Sequence, residues 1–557
     1  MAELIYNCIT NNDARETGVI STGMYLTKLL ETYGVDTVFG IPGVHTVELY
    51  RGLAGSTVRH VTPRHEQGAG FMADGYARAT GKPGVCFIIT GPGMTNIATA
   101  MGQAYGDSVP MLVISTVNQH GRMGSGDGWL HELPNQQALM SQVSAFSYTV
   151  NRPEELALVL ARAFAVFDSE RPRPVHIELP INVMLADAGH LPVPEKVTRL
   201  SRPAGDAVAI AAAAKALEGA RAPVILVGGG AIKAAAKVRA LAEKLDAPVI
   251  SSTNGRGILP PEHPLNVPLS PSCVSSRAVI EAADVVLAIG TEFGSTDYDM
   301  YEDGFFHIPG TLIRVDIDPK QIMRTRAAEI GIVGDAGACA DALLAALPDG
   351  SHDGAARTAA AIAKAPADLT PAMRGDLAML ATIRDTLADV LIVGDSTQLV
   401  YAGNLGFRSA QPGSYFNSAT GYGTLGYGLP AAIGAKVGQP GRPVVSLVGD
   451  GGLQFSVAEL ASATEAKTPV ILMLHNNNGY GEIKSYMVSQ NIQPLGVDIY
   501  TPDLLAIGKA YGWHAEVLAH YADLPAALMA AASRDIPTML LFGDEVRAEA
   551  EKDAPAV

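Results

Sequence analysis

Two short stretches of this chain bring together oxygen donors that a metal ion and a phosphate could share. Gly449-Asp450-Gly451-Gly452 follows the apolar run ending in Leu447-Val448, and Asn476-Asn477-Asn478-Gly479 follows the apolar run Val470 to Leu474. A carboxylate, a side-chain amide and a main-chain carbonyl suit Mg²⁺, a hard cation that keeps part of its shell for water and phosphate oxygens. The glycines let the backbone approach an anion closely, and the start of a helix offers it N–H groups. For the two turns to meet, both must leave one edge of a parallel sheet. The pattern therefore predicts strand, turn, a helix from Phe455 to Ala466, and a second strand. Asp-Gly alone is a common turn pair; the coupled second turn is the informative part.

Gly451 and Asn476 are separated by 24 residues, and this arrangement resembles the signature of thiamine diphosphate (ThDP) enzymes. The resemblance implies that Asp450, Asn477 and the Gly479 carbonyl hold Mg²⁺, and that the amides of Gly451 and Gly452 face the diphosphate. ThDP chemistry needs a proton moved at the pyrimidine ring, which a carboxylic acid can do. Arg64-His65-Glu66, followed by Ala69, Met72-Ala73 and Gly75-Tyr76-Ala77-Arg78, is similar to the family's stretch in which the Glu is that acid. A lone Glu at a helix start would more often serve as a capping residue. Gly421-Tyr422-Gly423-Thr424-Leu425-Gly426-Tyr427-Gly428-Leu429-Pro430 resembles the family's turn beneath the cofactor. There the Gly423 carbonyl would accept from the 4′-amino group, and Leu425 stands where many relatives carry Met, a near-volume-conserving change. Pro42 and Asn96 carry over as cofactor contacts, and His120 and Gln136 as catalytic candidates.

The side chain of the 2-oxo acid must be read elsewhere. The stretch 118–136 is rich in glycine and holds His120, Asp127, Trp129, His131, Glu132 and Gln136. Pyruvate decarboxylase relatives carry a His-His pair here, of which only His120 remains. Simple decarboxylases also place a Glu four residues after the metal-binding glycine, where this chain has Ile483. The chain looks closest to the acetolactate synthase branch, and its Leu130-His131-Glu132-Leu133-Pro134-Asn135-Gln136 run resembles the 5-guanidino-2-oxopentanoate decarboxylase group. Asp127 and Glu132 are then candidates to meet a guanidinium. The alternatives are a carboligase of the acetolactate synthase type and a non-catalytic subunit or assembly protein of the same fold. Joint presence of Glu66, Asp450 and Asn477 argues against the latter.

Around these residues the chain alternates strand and helix patterns. The reading is α/β, with three doubly wound parallel-sheet domains: pyrimidine-binding over 1–190, middle over 191–350 and diphosphate-binding over 351–557. Residues 18–34 read as an amphipathic helix, Leu191 to Gly205 as a linker, the alanine-rich Ala336 to Pro366 as a second linker, and the last dozen residues as mobile. Gly228-Gly229-Gly230 follows a strand but lacks the dinucleotide spacing. Thr291-Glu292-Phe293-Gly294 departs from the flavin-associated pattern of the acetolactate synthase branch, so FAD is not expected.

The 557 residues, 48% hydrophobic and 17% charged, carry a net charge of −16, which disfavours nucleic acid or an anionic membrane as partner. Four scattered cysteines indicate neither a disulfide framework nor a zinc site. With no signal-like or 18-residue apolar run, a cytoplasmic enzyme is expected. The resemblance implies a homodimer or homotetramer acting on a small-molecule 2-oxo acid.

Overall fold

The computed structural model describes residues 19–553 apart from 305 and 351. Cys8 lies outside them. Three parallel sheets carry the molecule. The first has β1 Thr37–Gly40, β2 Arg59–Val61, β3 Gly84–Ile88, β4 Met111–Val117, β5 Phe146–Thr149 and β6 Pro174–Pro180 in the order β2-β1-β3-β4-β6-β5. The second has β7 Pro223–Val227, β8 Val249–Ser251, β9 Val285–Ile289, β10 Thr311–Asp316 and β11 Ile330–Val333 in the order β11-β10-β9-β7-β8. The third has β12 Leu391–Gly394, β13 Tyr415–Asn417, β14 Val444–Gly449, β15 Ile471–His475, β16 His514–Val517 and β17 Thr538–Phe542 in the order β13-β12-β14-β15-β17-β16. Counted from its own first strand, the third sheet repeats the strand order of the first.

Every residue of β3, β4 and β6 is buried, because helices cover both faces of a parallel sheet. Alternate residues Val85 and Phe87, Leu112 and Ile114, Val175 and Ile177 point into one core with Leu26, Leu30, Leu160 and Phe164. Their period of two is that of a strand.

The chain divides into two compact units. One comprises the chain up to Ser201 with Pro430–Pro440 and Ser456–Thr468; the other comprises Arg202–Leu429, Gly441–Phe455 and the chain from Pro469. Within the first, the helix Glu66–Thr80 and the part of the helix Gly428–Gly438 from Pro430 onward touch main chain to main chain. A Cβ on Gly75 would stand 1.9 Å from the Ala431 carbonyl oxygen, and one on Gly434 1.8 Å from that of Met72.

Four local expectations change. The helix expected over 455–466 is instead a turn of helix at Asp450–Leu453 and a second helix at Glu459–Glu465. The first helix spans Thr22–Thr32, capped by the Ser21 hydroxyl. The alanine-rich run is not a linker but two helices, Ala336–Ala346 and Gly354–Lys364. Alanine is the best helix former, and Leu343 and Cys339 anchor the first helix in the middle core. Near the C-terminus, Asp544–Asp553 is a helix that buries Val546 and Ala550 beside Met379 and Ile383, with Arg547 gripping Asp376 at 2.7 and 2.8 Å. Residues 554–557 lie outside the described part.

Candidate active site

In a doubly wound sheet, ligands bind beyond the carboxyl ends of strands where the strand order reverses. In the third sheet that point lies between β12 and β14. β12 ends at Gly394 with Asp395 next, and β14 ends at Gly449 with Asp450 next. β15, paired with β14 through Gly449↔His475, delivers Asn477 and Gly479 to the same edge. The Asn477 main-chain N–H points at Asp450 Oδ1 at 3.4 Å, and Thr501 Oγ1 donates to Asp450 Oδ2 at 2.9 Å. One position of the Asn477 amide lies 2.9 Å from the Gly479 carbonyl oxygen and 3.1 Å from Asp450 Oδ1. Filled by nitrogen it donates to both. Filled by oxygen it brings three oxygens together with no proton among them, and a cation reconciles that arrangement. One carboxylate and two neutral oxygens form a donor set that fits Mg²⁺.

Gly451 and Gly452 are the second and third residues of the short helix that starts at Asp450, so their N–H groups lack intrahelical acceptors. Gly451 is required by a neighbour: a Cβ there would stand 2.8 Å from two ring atoms of Tyr480. Gly423 has a left-handed φ of 76° and open space around it. Leu425 beside it is half-buried. Asp395, fully buried, holds this turn by accepting from the N–H groups of Gly426, Tyr427 and Gly428. Burial pushes its carboxyl up to about 6 against the pull of those amides. The strand-Gly-Asp ending that Asp395 shares with Asp450 was the sequence signal for it; Thr501 and Tyr480 had none.

In the first sheet the order reverses between β1 and β3. Glu66, the first residue of its helix, accepts from Asn96 Nδ2 at 2.9 Å, and Asn96 lies on the helix Pro92–Asp107 after β3. Pro42 is exposed in the turn after β1. His131 sits close enough to feel the Glu66 carboxylate, and its ring lies 5.2 Å from that of the buried His45. Burial, with His131 adding to it, pushes His45 down to about 4; burial also lowers His131, against the opposing pull of Glu66. The Nδ1 atoms of both are buried without a hydrogen-bond partner among the described residues.

Three sequence candidates stand differently in space. His120 is exposed and bonded to Asn151 and Asn182, at the ends of β5 and β6; the loop histidine that joins Glu66 is His131. Gln136 is 3% exposed. Its oxygen accepts from Thr90 and Gly91, and its nitrogen donates to Ser115, Thr116 and Glu178. No capacity remains for a ligand, so it braces the turn after β3. Glu132 accepts four bonds, from the Ser125 hydroxyl and the N–H groups of Gly126, Gly128 and Trp129. These saturate a carboxylate's four acceptor sites and leave none for a bidentate guanidinium. The Asp127 carboxylate is exposed in that loop and makes no such bonds among the described residues. Arg122 stacks on Trp129 at 3.8 Å, so the loop already seats one guanidinium. Ile483 is exposed on the helix Gly481–Ser489.

In the second sheet the glycines of 228–230 serve packing. A Cβ on Gly228 would stand 2.4 Å from the Gly290 carbonyl oxygen, and one on Gly230 2.9 Å from the Gly290 Cα. After Gly290, Phe293 packs with Tyr298 and Phe306 under the buried Arg314 guanidinium.

Comparison with known proteins agrees with this architecture. Residues 20–139 match the thiamine pyrophosphate enzyme N-terminal TPP binding domain, 210–343 the central domain, and 394–542 the C-terminal TPP binding domain. Thiamine pyrophosphate is another name for ThDP. The "probable 2-ketoarginine decarboxylase AruI" of Pseudomonas aeruginosa is 48% identical over 499 residues, 88% of each chain. The "probable acetolactate synthase large subunit" of Methanocaldococcus jannaschii is 33% identical, covering 88% of this chain and 86% of the relative. The acetolactate synthase isozyme 1 large subunit of Escherichia coli (strain K12) is 30% identical, covering 95% and 94%. Among the described residues no helix is long and apolar enough to cross a membrane.

Proposed function

The chain belongs to the thiamine pyrophosphate enzyme family, and on that premise we propose that it is an Mg²⁺-dependent decarboxylase of 5-guanidino-2-oxopentanoate, the compound also called 2-ketoarginine. The carbon–carbon bond to the carboxylate breaks, carbon dioxide leaves, and the carbonyl carbon takes a proton to give the guanidino aldehyde. When bound, thiamine pyrophosphate supplies the sink for the electron pair of the breaking bond. In one unit Asp450, Asn477 and the Gly479 carbonyl would hold the metal, and Gly451, Gly452, Gly423 and Leu425 would contact the cofactor; in the other, taken by itself, Pro42 is the candidate cofactor contact. Glu66, oriented by Asn96, holds and moves the proton at the pyrimidine ring. Asp127 is the acid left to meet the guanidinium, and no flavin takes part.

The observation that carries the chemistry is the convergence of the Asp450 carboxylate, the Asn477 side-chain amide and the Gly479 carbonyl at one sheet edge. The substrate rests on likeness to the arginine-type relative. The helix Gly481–Ser489 buries none of its residues, and the nearby Leu495 and Tyr500 are 83% and 85% exposed. Such an apolar surface supports self-association as a homodimer or homotetramer.

The test is a screen of 2-oxo acids for carbon dioxide release with thiamine pyrophosphate and Mg²⁺, with product analysis. The guanidino acid should give the highest kcat/KM and an aldehyde product. Preference for pyruvate with a ligated hydroxyketone as product would put the carboligase in its place.

A further inference from the structure

Glu459 lies 393 residues beyond Glu66 in the sequence yet bonds the turn that presents it. Its Oε1 accepts from the main-chain N–H groups of Arg64 at 3.0 Å and His65 at 3.1 Å, and its Oε2 lies 3.1 Å from the Arg64 nitrogen. Ser462 Oγ donates to the same Oε2 at 2.6 Å. The side chain is 1% exposed. Next along the helix, a Cβ on Gly68 would stand 2.2 Å from Glu459 Oε1 and 2.7 Å from its carboxyl carbon. An alanine there would have to drive the carboxylate off both amides, so Gly68 is the space that Glu459 occupies. Arg64 is held further by an ion pair with Glu465, and Arg59 donates to the Ala466 carbonyl. The whole of this grip lies inside one compact unit.

Burying a carboxylate costs stability that hydrogen bonds only partly offset. Burial pushes Glu459 up to about 7 against the bonds from Ser462, Arg64 and His65, so the chain retains it at a cost in stability. What the bonds fix is the main chain of the two residues immediately before Glu66.

We propose that Glu459 is a positioning residue for Glu66: it locks the Arg64-His65 turn and thereby sets where the Glu66 carboxyl stands. The inference rests on Glu66 being the acid that moves the proton. A small displacement of a reacting group costs rate more than binding. Glu459→Ala should therefore lower kcat by about 10–100-fold and leave the KM for the 2-oxo acid within about twofold, since only the acid's position moves.

The experiment measures kcat and KM for Glu66→Gln, Glu459→Ala, Glu459→Gln, Gly68→Ala and the two double variants made with Glu459→Ala. Glu459→Ala should not slow Glu66→Gln further, because the residue it positions no longer cycles a proton. Glu459→Gln should recover most of kcat, since its amide oxygen can still accept from both N–H groups. Gly68→Ala should reproduce the loss in the wild type and add nothing in the Glu459→Ala background, where the collision is gone. A near-normal Glu66→Gln enzyme overturns the assignment of Glu66 itself. With Glu66→Gln impaired, full losses that multiply in the Glu66→Gln/Glu459→Ala enzyme overturn the positioning role, as does wild-type kcat in Glu459→Ala. Should Glu459→Ala not fold, Gly68→Ala decides alone, and an unchanged kcat overturns the proposal.

Discussion

At the scale of single residues, carboxylates near the candidate site serve as clamps on main-chain amides, among them Asp395 on the turn at 426–428, Glu132 inside its own loop, and Glu459 on Arg64 and His65. Two others, Asp450 and Glu66, are proposed to act on the cofactor. Asp450→Ala removes the only charged oxygen of the proposed metal site, so Mg²⁺-dependent binding of thiamine pyrophosphate should weaken by about 10²-fold or more in isothermal titration, with the thermal melt little changed. Glu66→Gln keeps the side chain's shape but cannot cycle a proton; kcat should fall by about 10²–10⁴-fold, with cofactor affinity reduced less than in Asp450→Ala. Stability carries its own signature of Glu459, whose carboxyl titrates near 7 in the folded protein instead of 4.5. Between those values the native state holds a proton that the unfolded chain has released. The contribution is fully present below about 4.5 and is lost as the pH rises through about 7. Arg64 with its partner Glu465, His65 and Ser462 face this carboxyl. Denaturant melts of Glu459→Gln, which lacks the proton, should gain on wild type between pH 5 and pH 8 by at most a few kcal/mol.

At the scale of elements, the site hangs on how closely turns can pack. Gly451→Ala puts a methyl 2.8 Å from the Tyr480 ring and must push Tyr480 and the adjoining Gly479 carbonyl outward. Mg²⁺ affinity should drop by about 10-fold or more while the melting temperature holds; unchanged affinity would show that Gly479 is not a ligand. The strand-turn units around Asp450, Asn477 and Glu66 were legible because apolar runs, glycines and acids fall at fixed offsets along the chain. Less legible were features decided by partners far away in sequence. Nothing near Gln136 announces that Thr90, Ser115 and Glu178 will consume its amide. Nothing near Glu132 distinguishes a loop organiser from a substrate contact until four donors are seen to converge on it. The glycines at 350 and 354 within the alanine-rich stretch suggest a linker, whereas alanine propensity and the buried Leu343 decide for helix.

At the scale of the whole molecule, two sheets of identical strand order carry the two groups of proposed cofactor residues, each group near the reversal point of its own sheet. That repetition is visible in topology, although the two segments share only a general α/β pattern in sequence. The unburied helix Gly481–Ser489 is the surface to examine for self-association. Val488→Asp combined with Ile492→Asp, both about half exposed here, should raise the dissociation constant of the proposed homo-oligomer by about 10-fold or more, measured by sedimentation. An unaltered association state would overturn this helix as the surface of self-association.

The interleaving of the chain also sets a schedule for its birth on the ribosome. The unit that holds Glu66 is completed by Pro430–Pro440 and Ser456–Thr468, which are made long after Ser201. At about 5–20 residues per second, the interval is on the order of tens of seconds. Throughout it the helix that begins at Glu66 lacks the helix that Gly75 touches, and the Arg64 and His65 amides lack Glu459. A nascent chain stalled before residue 430 should be cut by protease within 59–80 far faster than the full-length protein. The same stall placed after residue 468 and clear of the exit tunnel should protect that segment, making closure of the Glu66 turn a late event in synthesis.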